Sequence, residues 1–162
     1  PIPRASLFLG RWLATAVVVL ALLSGSLVGL GLAAASAGEG VDTDALRGVT
    51  YATLLGGLVY SLGAAVIGIV AKRGLIIALG YAFAVEIIIG NLPGSTQKLT
   101  IQYHLRSLFF DKDLYPWTKM DPFHVTEFLQ PAEAFTKMAV LAVLLLAFGS
   151  WRVSRKQFVL SS

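Results

Sequence analysis

The residues of this sequence that could do chemistry centre on one glutamate. Glu86 is the only ionisable side chain inside a long apolar run, and His104 and Arg106 follow it after a polar turn. A carboxylate in apolar surroundings is costly unless it is neutralised or hydrogen-bonded. We therefore expect Glu86 to be protonated, to have a partner or to face a wet cavity, with Arg106 or His104 as the first candidates. Two interpretations stay open: a pathway or gate residue, or a residue that only fixes one helix against another.

Other kinds of reactive site have no basis in the sequence. Cysteine is absent, and the two histidines, His104 and His124, have no companion ligand at the spacing of a metal site. Neither a G-x-S-x-G nucleophile motif nor a phosphate-binding G-x-x-x-x-G-K-[ST] loop occurs. We predict no catalytic residue, no metal and no cofactor bound by this chain, so the protein is not expected to be an enzyme.

The composition indicates the class of protein that holds these residues. Apolar residues make up 56% of the chain and charged residues 14%, whereas soluble domains average about 25% charged. The mean hydropathy is +0.75. These values exclude an ordinary soluble enzyme, a disordered tail and a nucleic-acid-binding domain, and they predict an integral membrane protein.

Four apolar runs are candidates for membrane-spanning helices, each of which needs about 20 residues. The fourth run is short, but Lys137 and Arg152 at its ends can extend their charged groups to the interface. The predicted spans are 12–33, 50–70, 75–92 and 137–153.

The charge distribution predicts how the chain lies in the membrane. Basic residues without acidic ones precede the first span, join the second to the third and follow the fourth, whereas every carboxylate except Glu86 falls in the other two connections. Cationic segments remain cytoplasmic. Both termini are therefore predicted to be inside, at the plasma membrane, which requires an even number of spans.

Small residues form stripes within the spans. Gly25 and Gly29 make a GxxxG pair, and Gly57, Ser61 and Ala65 share one face of the second span. Such stripes allow helix backbones to approach closely in lipid. They indicate either a packing interface or simply the usual composition of membrane helices.

The connection 93–136 is too apolar and aromatic to be an exposed loop. It is predicted to form short interfacial or re-entrant helices, interrupted at Pro116, Pro122 and Pro131. The fold class that follows is all-α: a polytopic transmembrane helix bundle with four spans and short helices in this outer loop. Residues 1–162 would form a single transmembrane domain.

One family resemblance emerges from these segments. Residues 81–94 form an aromatic-rich span with Glu86 that ends in an Asn-Leu-Pro-Gly turn, and they lead into the polar helix 99–108. Together with the Pro- and Arg-containing start at 1–12, this pattern resembles the C-terminal four spans of permeases of the type-2 ABC transporter class. The first two spans and most of the principal ATPase-contacting helix would lie upstream.

The resemblance implies a function and partners. A six-span permease of this kind would export by alternating access, with ATP and Mg²⁺ bound by a separate ABC ATPase subunit and with a second permease copy as homo- or heterodimer. No nucleic acid is expected, and the lipid bilayer is the remaining partner. Residues carried over to the substrate path or outer gate are Glu86, Asn91, Pro93, His104 and Arg106. Residues carried over to a cytoplasmic loop that contacts the ATPase are Lys72 and Arg73.

Two other functions stay open at this point. The chain could be a structural subunit of a larger membrane complex. It could also be a membrane-embedded enzyme that uses Glu86, His104 and Arg106 on a lipid headgroup at the outer surface. The sequence does not indicate the cargo.

Overall fold

The chain folds as an α-helical bundle. The computed structural model describes residues 4–36, 43–91, 95–109 and 129–155, and these residues contain helices and no strand. The predicted all-α fold is thus confirmed. The α-helices in the described residues are α1 (Arg4–Ser36), α2 (Thr43–Val70), α3 (Gly74–Tyr81), α4 (Ile101–Phe109) and α5 (Pro131–Arg155).

Three of these helices are long and apolar enough to cross a membrane: Ala5–Ser36, Leu46–Val70 and Pro131–Arg155. They contain the predicted spans 12–33, 50–70 and 137–153, so the protein is a membrane protein. The short fourth run lies within a longer helix, because α5 begins at Pro131. Proline has no backbone N–H, and at the first position of a helix this group would have no partner within the helix.

The third predicted span, 75–92, has a different structure. Gly74–Ile88 is a shorter apolar helix, about 22 Å long at 1.5 Å per residue. After Tyr81 it winds as a π-helix over Ala82–Ile88 and then as a 3₁₀ turn over Ile89–Asn91. This helix is shorter than the three long ones. A fourth membrane span at this position therefore stays a prediction.

Helix α2 is the centre of the bundle, since α1, α3, α4 and α5 all pack against it. The apolar core at this centre consists of Phe8, Leu62, Val66 and Val153. Glycines allow the closest approaches: a Cβ on Gly149 of α5 would meet the Phe8 ring of α1. The rotation of each helix about its axis is therefore set by which glycine faces which large side chain.

The two predicted small-residue stripes differ in their surroundings. Gly57 lies directly against Leu23 and Val19 of α1, so this stripe packs two helices of the chain together. Around Gly25 and Gly29 no described atom lies within 4 Å of the position that a Cβ would take. The GxxxG pair is therefore open in this part of the chain.

A tight turn at Ala71–Arg73 joins α2 to α3. Gly74 begins α3 so close to α2 that a Cβ would lie 2.7 Å from the Gly68 Cα. Any larger residue would push the two helices apart. Lys72 and Arg73, predicted to contact an ATPase, are exposed at the tip of this hairpin.

Candidate functional site

Glu86 is buried in the bundle, with 5% of its surface exposed. It lies on the π-helical segment Ala82–Ile88, five residues after Tyr81. In an α-helix with 3.6 residues per turn, residues five apart point roughly 140° away from each other. The wider π winding, with hydrogen bonds that skip five residues, turns them toward the same side. The irregular winding of this helix therefore places the Tyr81 hydroxyl on the Glu86 carboxylate.

Four donors bind the two oxygens of that carboxylate. The Tyr60 hydroxyl donates to Oε2 at 2.9 Å, and the Tyr81 hydroxyl donates to Oε1 at 3.0 Å. The backbone N–H groups of Ile101 and Gln102 donate to Oε1 at 3.2 Å and to Oε2 at 2.9 Å. Each carboxylate oxygen thus accepts from one tyrosine hydroxyl and one backbone N–H. The cost of burying it is offset by this complete set of hydrogen bonds.

The two backbone donors belong to the first turn of α4. An α-helix begins with N–H groups that have no partner within the helix. Glu86 accepts the first two, and the Thr100 hydroxyl, in the N-cap position, accepts a third from Tyr103 at 3.2 Å. The carboxylate also lies at the positive end of the α4 dipole. Glu86 thus caps α4 from a different helix.

Two side chains of α4, Gln102 and Arg106, bind backbone carbonyls of the segment that carries Glu86. With the Gln102 amide oriented so that its NH₂ donates to the Glu86 carbonyl at 2.8 Å, its oxygen accepts from Arg106 Nη2 at 2.9 Å. Arg106 Nη1 also donates to the Gly90 carbonyl at 3.5 Å. A cation at carbonyls near the end of a helix is favourable. The two helix ends therefore cap each other, and we call these groups the Glu86 network: Tyr60, Tyr81, Glu86, Gly90, Thr100, Ile101, Gln102 and Arg106.

The partners of Glu86 differ from the side chains expected from the sequence. Neither Arg106 nor His104 binds the carboxylate; hydroxyls and backbone amides do. Arg106 joins the network through Gln102 and the Gly90 carbonyl. The reason is that α4 points its N-terminus at Glu86, and a helix N-terminus supplies donors whatever its side chains are.

A second buried contact holds α4 to the start of α5. The Ser107 hydroxyl donates to the Tyr103 carbonyl at 3.0 Å and accepts from the Leu129 N–H at 3.3 Å. Both Ser107 and Thr100 are fully buried. The helix that follows the glutamate span is therefore fixed at both of its ends by polar groups.

His104 lies in a separate place from Glu86. It lines a cavity of about 530 Å³ beside α5, together with Lys98, Glu133 and Lys137. Glu133 and Lys137 form an ion pair of 2.7 Å across that cavity wall. Neither Glu86 nor Arg106 is part of this lining, so this cavity does not join the three residues of the enzyme hypothesis.

We expect stability to fall as the pH drops below about 6.5, through His104. Burial is the main cause that lowers the pKa of His104 below its ordinary 6.5, and Lys137 acts in the same direction. Glu133, the Lys98 carbonyl and Glu86 oppose it more weakly. Because the unfolded chain then binds the proton more readily, stability is complete above pH 6.5 and is lost as the pH falls toward the lowered value.

The measurement is thermal unfolding of the detergent-solubilised chain from pH 8 to pH 5. The variant His104→Gln should flatten the decline below pH 6.5 while it leaves the values near pH 8 close to wild type. An equal slope in the variant and the wild type would contradict this assignment.

The other predicted site residues lie after Glu86, at the far end of α3 from Glu86, or outside the described residues. Asn91 is the last residue of the 3₁₀ turn that follows Glu86, and Pro93 lies outside the described residues. Lys72 and Arg73 lie at the opposite end of α3 from Glu86. The connection 110–128, with Pro116, Pro122 and His124, is also outside the described part of the chain.

Sequence reasoning missed most of the residues that hold Glu86. Tyr60 and Tyr81 are hydroxyl-bearing side chains within apolar helices, and such groups usually find a buried partner. Thr100 directly precedes an amphipathic helix, and threonine is a preferred residue at that capping position. Those two signals were available in the sequence. No pattern in it indicates that Gln102 would join Arg106 to the Glu86 carbonyl.

No protein family, no curated protein and no solved structure matches the chain. The functional argument therefore starts from the geometry of the Glu86 network and the positions of α3 and α4.

Proposed function

We propose that this chain forms the membrane path of an ATP-driven exporter of the type-2 ABC permease class, with ATP hydrolysed by a separate subunit. The observation that supports this most is the Glu86 network, which fixes the short helix α4 to α2 and α3 by a buried carboxylate. The segments that carry the family resemblance, 81–94 and 99–108, are the ones that form this network.

The network has the properties of a gate element. Tyr60 belongs to α2, Tyr81 ends α3, and Glu86 lies on the π-helical segment that continues α3. The amides belong to α4. A shift of α2 against α3 would pull the two tyrosines apart and so weaken the contact to α4. Charge-assisted hydrogen bonds with buried groups are strong and depend on geometry. In this proposal the four hydrogen bonds belong to a closed arrangement and break in an open one, as alternating access requires.

The α3 helix connects that gate to the proposed cytoplasmic side. Lys72 and Arg73 precede Gly74, and Glu86 follows about 18 Å further along the helix at 1.5 Å per residue. In this proposal the basic turn contacts the ATPase and α3 transmits its movement to α4. The orientation with both termini inside the plasma membrane is part of the proposal.

A structural subunit is the second candidate. It is favoured by the saturation of both Glu86 oxygens and by the open Gly25 and Gly29 face, which suits helix assembly. Stimulation of ATP hydrolysis in the purified complex distinguishes transport from assembly alone.

The test is purification of the tagged chain in mild detergent from its native membrane, with identification of co-purifying proteins. We expect an ATPase with a phosphate-binding loop, and we expect the double variant Lys72→Glu/Arg73→Glu to lower its recovery by about tenfold, the ratio for about 1.4 kcal/mol. Arg152→Glu/Arg155→Glu is the matched control, since it changes the same charge at the end of α5.

The proposal fails if the intact chain is recovered without any ATPase in the presence and absence of nucleotide. It also fails if both double variants lower the recovery equally, because the α2–α3 turn would then have no special contact.

A further inference from the structure

The cavity of about 530 Å³ beside the start of α5 is lined by charged side chains. Lys98 belongs to the 3₁₀ turn Ser95–Leu99 and His104 to α4, while Glu133 and Lys137 belong to α5. None of its described lining residues belongs to the Glu86 network. The cavity is therefore separate from the buried carboxylate and needs its own interpretation.

The charges of the described lining favour an anion. Two ammonium groups, those of Lys98 and Lys137, accompany one carboxylate, that of Glu133. At His104 the positive charge prevails. Burial is the largest cause of the lowered pKa of His104, and Lys137 lowers that pKa more than Glu133 raises it. An anion in this cavity would therefore be attracted, and a cation would be repelled.

The start of α5 adds to this positive potential. Gln130 directly precedes the helix, and its carbonyl accepts the N–H groups of Glu133 and Ala134, both at 3.0 Å. A helix has the positive end of its dipole at this terminus. Because Gln130 and Glu133 both line the cavity, that end of α5 lies beside it.

The donors around the cavity suit a phosphate group. They lie on three segments: Lys98 on the 3₁₀ turn, Gln130 before α5 and Lys137 in the second turn of α5. An ammonium group has three N–H donors, so one that already has a partner can bind a further oxygen. A phosphate group presents three strong acceptor oxygens, whereas a planar carboxylate presents two. Donors on three segments therefore fit a phosphate group better than a carboxylate.

The position of the cavity along α5 determines which phosphate groups can reach it. The cavity borders residues 129–137, ahead of the apolar run 138–151 of this helix, which is long enough to span a membrane. Lysine side chains near the end of a spanning helix extend to the membrane surface. Both the phosphate of a lipid headgroup and dissolved phosphate are present there.

We propose that the cavity beside the start of α5 binds a phosphate group, with Lys98, Gln130 and Lys137 as its donors. Glu133 has two effects in this site: it holds the Lys137 ammonium at 2.7 Å, and its negative charge repels the phosphate. This inference rests on the charges around the cavity and not on the proposed transport function.

The test is a calorimetric titration of the detergent-solubilised full chain with inorganic phosphate at pH 7 and constant ionic strength. We expect saturable binding by the wild-type chain. Lys137→Gln removes one donor charge and leaves the Glu133 carboxylate unbalanced, so its Kd should be about tenfold higher. Glu133→Gln removes the repelling charge, so its Kd should be about threefold lower.

Arg152→Gln is the matched control, because it removes one positive charge from the far end of the same helix. Its Kd should equal that of the wild type. The side chains of Lys137 and Glu133 are about half exposed, so their replacement leaves the core of the bundle unchanged. The proposal is overturned by the absence of saturable binding in the wild type, by equal Kd values in all four proteins, or by weaker binding in Glu133→Gln.

Nanodiscs identify the source of the phosphate group. Nanodiscs with phosphatidic acid, whose headgroup is a phosphate monoester, are compared with nanodiscs of phosphatidylcholine alone. If phosphatidic acid raises the Kd for inorganic phosphate more in the wild type than in Lys137→Gln, the lipid headgroup occupies the site. If it raises both equally or not at all, dissolved phosphate is the ligand. Neither measurement uses ATP or an ATPase, so failure of this inference is separate from failure of the transport proposal.

Discussion

Replacing Glu86 with alanine is expected to release α4 from the transmembrane helices and to lower the free energy of unfolding by about 3 kcal/mol or more. The change leaves two phenol hydroxyls and two helix N-terminal amides without their acceptor. Each buried unsatisfied group costs about 1–3 kcal/mol, although the costs are not additive.

Graded variants test whether the hydrogen bonds cause this loss. Tyr60→Phe removes one donor and leaves the carboxylate with three, so it should cost only about 1–2 kcal/mol. Glu86→Gln keeps the shape but presents an NH₂ to donors, and it should lie between the two. The measurements are thermal unfolding in detergent and the rate of trypsin cleavage at Lys98 and Arg106.

Glu133→Ala is the matched control for removal of one carboxylate. Glu133 pairs with Lys137 on the surface of α5, where both side chains are about half exposed. Exposed pairs of this spacing contribute at most about 0.5 kcal/mol. Equal effects of the two glutamate variants on stability and on cleavage would show that α4 does not depend on Glu86.

Replacing Gly149 with leucine is expected to separate α1 from α5. A Cβ at this position would lie 2.6 and 2.7 Å from two carbons of the Phe8 ring and 3.3 Å from Val66 Cγ2. Phe8 has little room to move, because only 7% of its surface is exposed. Overpacking of a core typically costs about 1–3 kcal/mol, and we expect the upper end of that range because three helices meet here.

Two further variants identify the contact responsible. Gly25→Leu should leave stability within about 0.5 kcal/mol of wild type, since no described atom lies near its Cβ position. The double variant Phe8→Ala/Gly149→Leu should recover much of the loss, because the ring that clashes is gone. Thermal unfolding and size-exclusion elution measure both effects. A Gly149→Leu protein as stable as Gly25→Leu would place the α1–α5 contact elsewhere.

The membrane character of the protein could be predicted from the sequence because hydropathy acts locally. In lipid, an apolar run has to satisfy its backbone hydrogen bonds within itself, and a helix does so. That is why 12–33 and 50–70 appear within α1 and α2, and why the run at 137–153 lies within α5. Glu86 was identified for the same reason: a carboxylate in an apolar run must have an unusual environment.

The third apolar run has a winding that hydropathy does not predict. Composition predicts a continuous helix over 75–92, but the chain winds as a π-helix after Tyr81. The extra residue per turn has no signature in hydropathy. It is maintained because it brings Tyr81 and Glu86 onto one side, where α4 and Tyr60 complete the set of donors.

By itself, then, the sequence determined the all-α class, the long apolar helices, the hairpin at Lys72 and Arg73 and the presence of one buried carboxylate. Only the tertiary structure decided what that carboxylate binds. Tyr60, on another helix, and the amides of α4 reach Glu86 because of the depth and rotation of three helices. Those quantities depend on contacts such as Gly57 with Leu23 and Gly149 with Phe8, which join residues far apart in the chain. Hydropathy and turn residues act over a few positions, whereas helix rotation is set by all of these contacts together.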